Sequence, residues 1–202
     1  MSKLFIVSLP RTGTTSACAY LLELGFTVAH TAYTRSVFEQ ADVVADTPVF
    51  IDYPKLLQQY PNAKCIYLER PKELWLLSIR RLLKSMRKQW ARDKHVFEPA
   101  IQRCFQNAFP DFENKTDYSD HYLNHCYQTH HDGVMAYMSN MPERFLTVDI
   151  TESNAGKILQ QFCLGYTLEN ETGNPTFPHV NQGRRITYWE SITHKNKIES
   201  RL

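Results

Sequence analysis

The stretch Leu4 to Phe26, LFIVSLPRTGTTSACAYLLELGF, constrains the fold more than any other part of the chain. Leu4 to Val7 is a short apolar run with two β-branched residues, the pattern of a buried strand. Pro10-Arg11-Thr12-Gly13-Thr14-Thr15-Ser16 interrupts it with a polar turn rich in hydroxyls. From Ala17 onward Cys18, Leu21 and Leu22 return at helical spacing, and Gly25 is the expected stop. This order sets the first amides of a helix, which have no intrahelical partner, beside a glycine that lets a ligand approach the backbone. Thr12, Thr14, Thr15 and Ser16 add hydroxyls, and Arg11 adds a guanidinium fork. A phosphate or sulfate group is the occupant this loop suits.

Further along, Phe26–Ala29 is a weak second strand and Asp42–Ala45 a third short β-branched run. Pro54 to Tyr60 reads as a helix with proline in its first turn, and Lys64–Leu68 as the next strand. Alternating strands and helices predict a parallel sheet with right-handed crossovers. Pro71 fits the first position of a helix whose apolar face is Trp75, Ile79, Leu82 and Met86. Arg11 and Arg70 both follow strands, and in open parallel sheets ligands sit beyond the carboxyl ends of strands, so the two can converge. Residues 95–120 show no clear period and read as an insertion or a cover over a second substrate. A late strand, Phe145–Asp149, and a helix from Ala155 to Cys163 follow. The expectation is one domain over residues 1–202, with a helical elaboration at about 84–140.

Several function classes are disfavoured by composition. A net charge of +2 is too small for a nucleic-acid binder. Five scattered cysteines, odd in number and without a CxxC, suggest reduced thiols and a cytoplasmic protein. No apolar run approaches the ~18 residues of a membrane anchor. His121 and His125 are spaced to share a helix face, but no HExxH glutamate or cysteine pair assists them, so no metal is expected. The basic run from Arg80 to Lys94 reads as a solvated helix face, or as a patch that attracts an anionic acceptor or nucleotide.

Aligning Gly13-Thr14-Thr15 on the GK[ST] of a nucleotide-triphosphate loop puts Thr14 where the lysine belongs and Ser8 where the first glycine belongs. An ATP-dependent kinase is therefore the weaker alternative. Pro10-Arg11-Thr12-Gly13-Thr14-Thr15 instead resembles the 5′-phosphosulfate loop, PKxGTT, of sulfotransferases that use 3′-phosphoadenosine 5′-phosphosulfate (PAPS). Arg70 and Ser78, eight residues apart, resemble the pair with which that family holds the 3′-phosphate. Asp46-Thr47-Pro48 and Tyr60-Pro61-Asn62-Ala63-Lys64 are similar to a looser branch of the family that tolerates arginine in the loop.

The resemblance implies a three-layer α/β/α sandwich with a central parallel sheet, like that of P-loop nucleotide kinases, carrying a helical insertion. It implies PAPS as co-substrate and sulfuryl transfer to a hydroxyl or amine of a small acceptor, whether phenol, sugar or lipid-like. It further implies that Gly183 and Arg184 reach back to the 3′-phosphate. Arg11 stays protonated at any working pH, so its expected role is electrostatic, stabilising charge on the leaving phosphate. Asp46, at a strand end, is the first candidate for the base that takes the acceptor proton, and His30 the second. A relative that binds a nucleotide or a partner without turnover is the non-enzymatic alternative.

Overall fold

A sheet covered on both sides needs apolar residues on both of its faces, and the first strand supplies them. In the computed structural model, which describes residues 3–164 and 189–201, β1 (Leu4–Ile6) is buried throughout. Leu4 and Ile6 join one core with α1 (Thr14–Glu23) and α7 (Ala155–Leu164). Phe5 and Val7 join a second with α3 (Val49–Gln59). β4 (Lys64–Glu69) repeats the alternation, Ile66 and Leu68 to the first core, Cys65 and Tyr67 to the second. With β2 (Val28–Ala29), β3 (Val43–Val44) and β5 (Phe145–Asp149) these strands form one sheet in the order β2-β3-β1-β4-β5. Every pairing in it is parallel. The protein is thus α/β with helices on both faces of a five-stranded parallel sheet, as expected.

The strand order positions the site. β1 lies between β3 and β4: the chain runs from it to β2 and β3 on one side, then crosses back past it to β4 and β5 on the other. The loops after β1, β3 and β4 therefore meet at one carboxyl-end crevice, the switch point where ligands of such sheets sit. They carry Arg11, Asp46 and Arg70 respectively.

Two helices begin earlier than expected. α1 starts at Thr14 rather than Ala17, so the hydroxyls of Thr14, Thr15 and Ser16 belong to its first turn. α3 starts at Val49, which puts Pro54 inside the helix rather than in its first turn. Proline lacks the N–H that would bond the Phe50 carbonyl. The imidazole of His130, on α6 (Asp120–Met138), takes that place with Nε2 2.7 Å from the Phe50 oxygen. The side chain that makes the long helix possible is remote in sequence.

His130 is half-buried, its ring stacked on Tyr67 at 6.0 Å, and desolvation lowers its pKa to about 4. The folded state therefore resists a proton that the unfolded chain accepts near pH 6.5. Stability contributed by the neutral ring is complete above that pH and is lost as pH falls toward 4, by roughly 3 kcal/mol in all. Thermal melts of wild type should drop steeply across this window. His130→Gln, which keeps an N–H donor for Phe50 without titrating, should flatten that slope.

The segment without period contains α5 (Pro99–Ala108), opened by proline at its first position. It builds a third core with α4 (Lys72–Arg92) and the first half of α6, around Trp75, Phe105, Phe109, Phe112 and Tyr118. The second half of α6 returns to the sheet, where Val134 and Met138 join the Phe5 core. At the opposite edge, residues near the C-terminus run beside β2. The Val28 amide donates to Asn196 O, and the Ile198 amide to Val28 O, which covers an edge that would otherwise be open.

Candidate functional site

The loop after β1 is fixed by its own polar groups. Thr12 is fully buried and donates its hydroxyl to Leu9 O at 2.8 Å, so it braces the turn from inside. Trp75 Nε1 donates to Pro10 O at 3.0 Å from the first turn of α4. Arg11 has φ 73° and Gly13 φ 106°, and both conformations lie in the left-handed region. This winding turns the Arg11 carbonyl toward Arg70, whose Nη1 donates to it at 3.0 Å. The Arg11 side chain reaches the other way, and its Nε donates to Ser78 Oγ at 2.9 Å.

The four residues of the two motifs are therefore one cluster. Arg11 is joined by direct hydrogen bonds to both Arg70 and Ser78, with Gly13 in the same loop, although the blocks stand far apart in sequence. The electrostatics are unusual. Arg11 and Arg70 are both half-buried, and neither makes an ion pair among the described residues. Burial, and then the Arg11 charge, lower the pKa of Arg70. The start of α1 behind them has no side-chain cap, so its positive dipole end faces the same place. Two guanidiniums that repel each other over an uncapped helix start make a place for a multiply charged anion.

Opposite, Thr14 and Thr15 each place Oγ1 3.2 Å from His30 Nε2. The imidazole stacks on Trp189 at 5.4 Å. Burial lowers its pKa, with Asp46 and Glu190 opposing and Arg11 reinforcing, so the ring is neutral near pH 7. Asp46, at φ 48°, accepts from the Thr47 hydroxyl at 3.2 Å and is half-buried. The Ala32 amide donates to Thr47 O at 3.0 Å, which ties the loop after β2 to the loop after β3. His30 therefore lies against the first turn of α1, and Asp46 is near enough to act electrostatically on His30 and on Cys18 of that helix. Gly183 and Arg184 lie outside the described residues.

Beyond the tie opens a cleft of about 720 Å³. Ala32 and Pro48 line it, each two residues past a base candidate, with Tyr33, Phe38, Leu56 and Tyr60 as apolar wall. Its cations are already engaged, Arg35 with Glu39 and Arg103 with both carboxylate oxygens of Asp52.

His121 and His125 are exposed on α6, and among the described residues no three His, Cys, Asp or Glu side chains gather as a metal site requires. All five cysteines are free, and burial pushes the thiols of Cys65, Cys104 and Cys163 up to about 12. Among the described residues no helix is long and apolar enough to cross a membrane.

A family model described as a sulfotransferase domain matches residues 31–186. The match spans well over half of the chain, and the protein belongs to that family. The Arg70–Ser78 pair and Asp46 fall within the matched residues, and the loop at Arg11–Ser16 precedes them. No curated protein matches the chain.

Three contributors had no signal in the sequence. Ile150, just past β5, closes over Gly13. Trp189 packs on His30 from the far end of the chain. The link from Thr14 and Thr15 to His30 follows from helix α1 starting three residues early.

Proposed function

We propose that the protein transfers a sulfuryl group from PAPS to a hydroxyl or amine of a small acceptor. The observation that carries this is the pair of half-buried, acid-free guanidiniums at the uncapped start of α1. In this reading Arg70 and Ser78 hold the 3′-phosphate, while Arg11 and the Gly13–Ser16 turn hold the 5′-phosphosulfate. Gly183 and Arg184 remain candidates for the 3′-phosphate on the strength of the family resemblance. Glycine at position 13 meets two demands of the turn itself, a positive φ and the close packing of Ile150, and so holds the first amides of α1 in place for such a group.

The acceptor oxygen or nitrogen attacks sulfur and the bond from sulfur to the bridging phosphate oxygen breaks. The bisphosphate leaves with the electron pair. Arg11 stabilises the charge that builds on it. The acceptor proton passes to a base, for which Asp46 is our first assignment and His30 the second. His30 is neutral, as a base must be, but its Nε2 already faces two threonine hydroxyls. The 720 Å³ cleft is a suitable size for the acceptor, and its paired cations favour uncharged groups over polyanions.

Calorimetry with 3′-phosphoadenosine 5′-phosphate tests the donor assignment. Wild type should bind without Mg²⁺. Arg70→Ala should lose about 100-fold or more, because it removes a charge-assisted contact and frees the Arg11 carbonyl. Asp46→Asn should bind normally and fail in transfer. Binding of Mg²⁺-ATP in place of the bisphosphate would overturn the reading.

A further inference from the structure

The outer face of α4 is unused by the proposed reaction. Residues 74, 77, 81, 84, 88 and 92 follow one another at three- or four-residue steps, so they share one side of the helix. All six are exposed. They are Leu74, Leu77, Arg81, Lys84, Lys88 and Arg92. After Glu73 the helix carries no acid. Arg81, Lys88 and Arg92 make no ion pair among the described residues, and Lys84 only approaches Asp117 at 3.7 Å. Arg80, turned toward the third core, is instead committed to Tyr118 O and Asp120. Arg80 is thus paired on the inner side, while on the outer row Arg81, Lys88 and Arg92 make no ion pair among the described residues and Lys84 pairs only loosely with Asp117.

The apolar groups point the same way. Among the described residues the large hydrophobic side chains that are exposed are Leu74 at 46%, Leu77 at 52% and Val96 at 54%. Two stand on this face and the third just past the end of the helix. Exposed leucines bring no advantage to a merely solvated basic face. A 21-residue helix is about 32 Å long, and its charged row offers a straight line of contact.

We propose that this face docks the protein on an anionic lipid bilayer, with the row of cations on headgroups and Leu74 and Leu77 in the interface. Charge complementarity argues for an anionic partner, and the leucines for one with accessible hydrocarbon. A single-stranded nucleic acid would need stacking aromatics, and the row has none. Leu77 is next to Ser78 on α4 and Leu74 one turn before it, so docking brings the Arg11–Arg70 cluster close to the lipid surface.

Sedimentation with extruded vesicles tests this. Wild type should pellet with phosphatidylcholine vesicles containing about 30% phosphatidylserine, not with phosphatidylcholine alone, and less so at high salt. Arg81→Gln/Lys88→Gln should lower the partition coefficient about 25-fold, roughly fivefold per charge. Leu77→Ser should weaken binding to the same vesicles at high salt, where the charges are screened. Unchanged melting temperatures and unchanged far-UV circular dichroism would show that these variants are folded. Failure of wild type to pellet, equal pelleting with neutral vesicles, or indifference to the double variant overturns the proposal. Retention on heparin without vesicle binding also overturns it, in favour of an acidic polymer. None of these results depends on which nucleotide occupies the site.

Discussion

Arg11→Ala is expected to lower kcat for sulfuryl transfer by about 10²- to 10³-fold while bisphosphate affinity falls by no more than about tenfold. The asymmetry follows from where the guanidinium is held. Its Nε is anchored on Ser78, which holds the guanidinium in place before any ligand arrives. A donor fixed in this way costs no reorganisation when charge develops on the leaving oxygen. Binding survives because Arg70 and the start of α1 remain, and Arg70 grips the Arg11 backbone, not its side chain. Alanine is a fair comparison. Both residues carry a Cβ at φ 73°, so the backbone burden is nearly the same in each protein and the loss reports the side chain. Arg11→Lys should recover part of kcat, since the charge returns without the fork that reaches Ser78. The measurement is steady-state kinetics beside calorimetry on the same preparations. If affinity collapses while kcat holds, Arg11 is a binding residue only.

What could be read in the sequence is what local chain order dictates. The strand, hydroxyl-rich turn and helix of residues 4–26 are contiguous, and so is the step from β4 through Arg70 to Ser78. Their meeting at one crevice followed from the rule for parallel sheets, and the sheet order β2-β3-β1-β4-β5 provides it. What could not be read depends on partners remote in the chain. Pro54 argues against a helix through residues 49–59 until His130 is known to serve the Phe50 carbonyl. Likewise, a threonine-rich turn gives no hint that its hydroxyls meet His30, because that requires knowing where β2 ends in space. The aromatic residues of 97–118 lack a period because their core is built partly by α5 and partly by the irregular chain after it, through Phe109, Phe112 and Tyr118. A periodicity argument sees only regular elements.

Gly13→Ala should be the most damaging single change to the Arg11–Ser16 loop, and two separable causes contribute. The first is steric. An ideal Cβ on Gly13 lies 2.1 Å from Ile150 Cδ1 and 3.3 Å from Cγ1. The Ile150 backbone is held by its amide, which donates to Glu69 O at 3.2 Å, so only the side chain is free to yield. The second is conformational. At φ 106° an alanine is outside the regions open to L-residues, and relief requires the turn itself to rewind. Together they should cost about 3 kcal/mol of stability and at least about 100-fold in bisphosphate affinity. Gly13→Ala/Ile150→Val separates them. Valine removes Cδ1 for about 1 kcal/mol of its own, so part of the lost melting temperature should return. Affinity should not return with it, because the rewound turn no longer aims its amides at the anion and no trimming of Ile150 restores φ. Denaturation and calorimetry on the three variants, Ile150→Val included, decide the point. Recovery of affinity in the double variant would mean that the lid residue alone, and not the left-handed turn, sets the shape of the anion site.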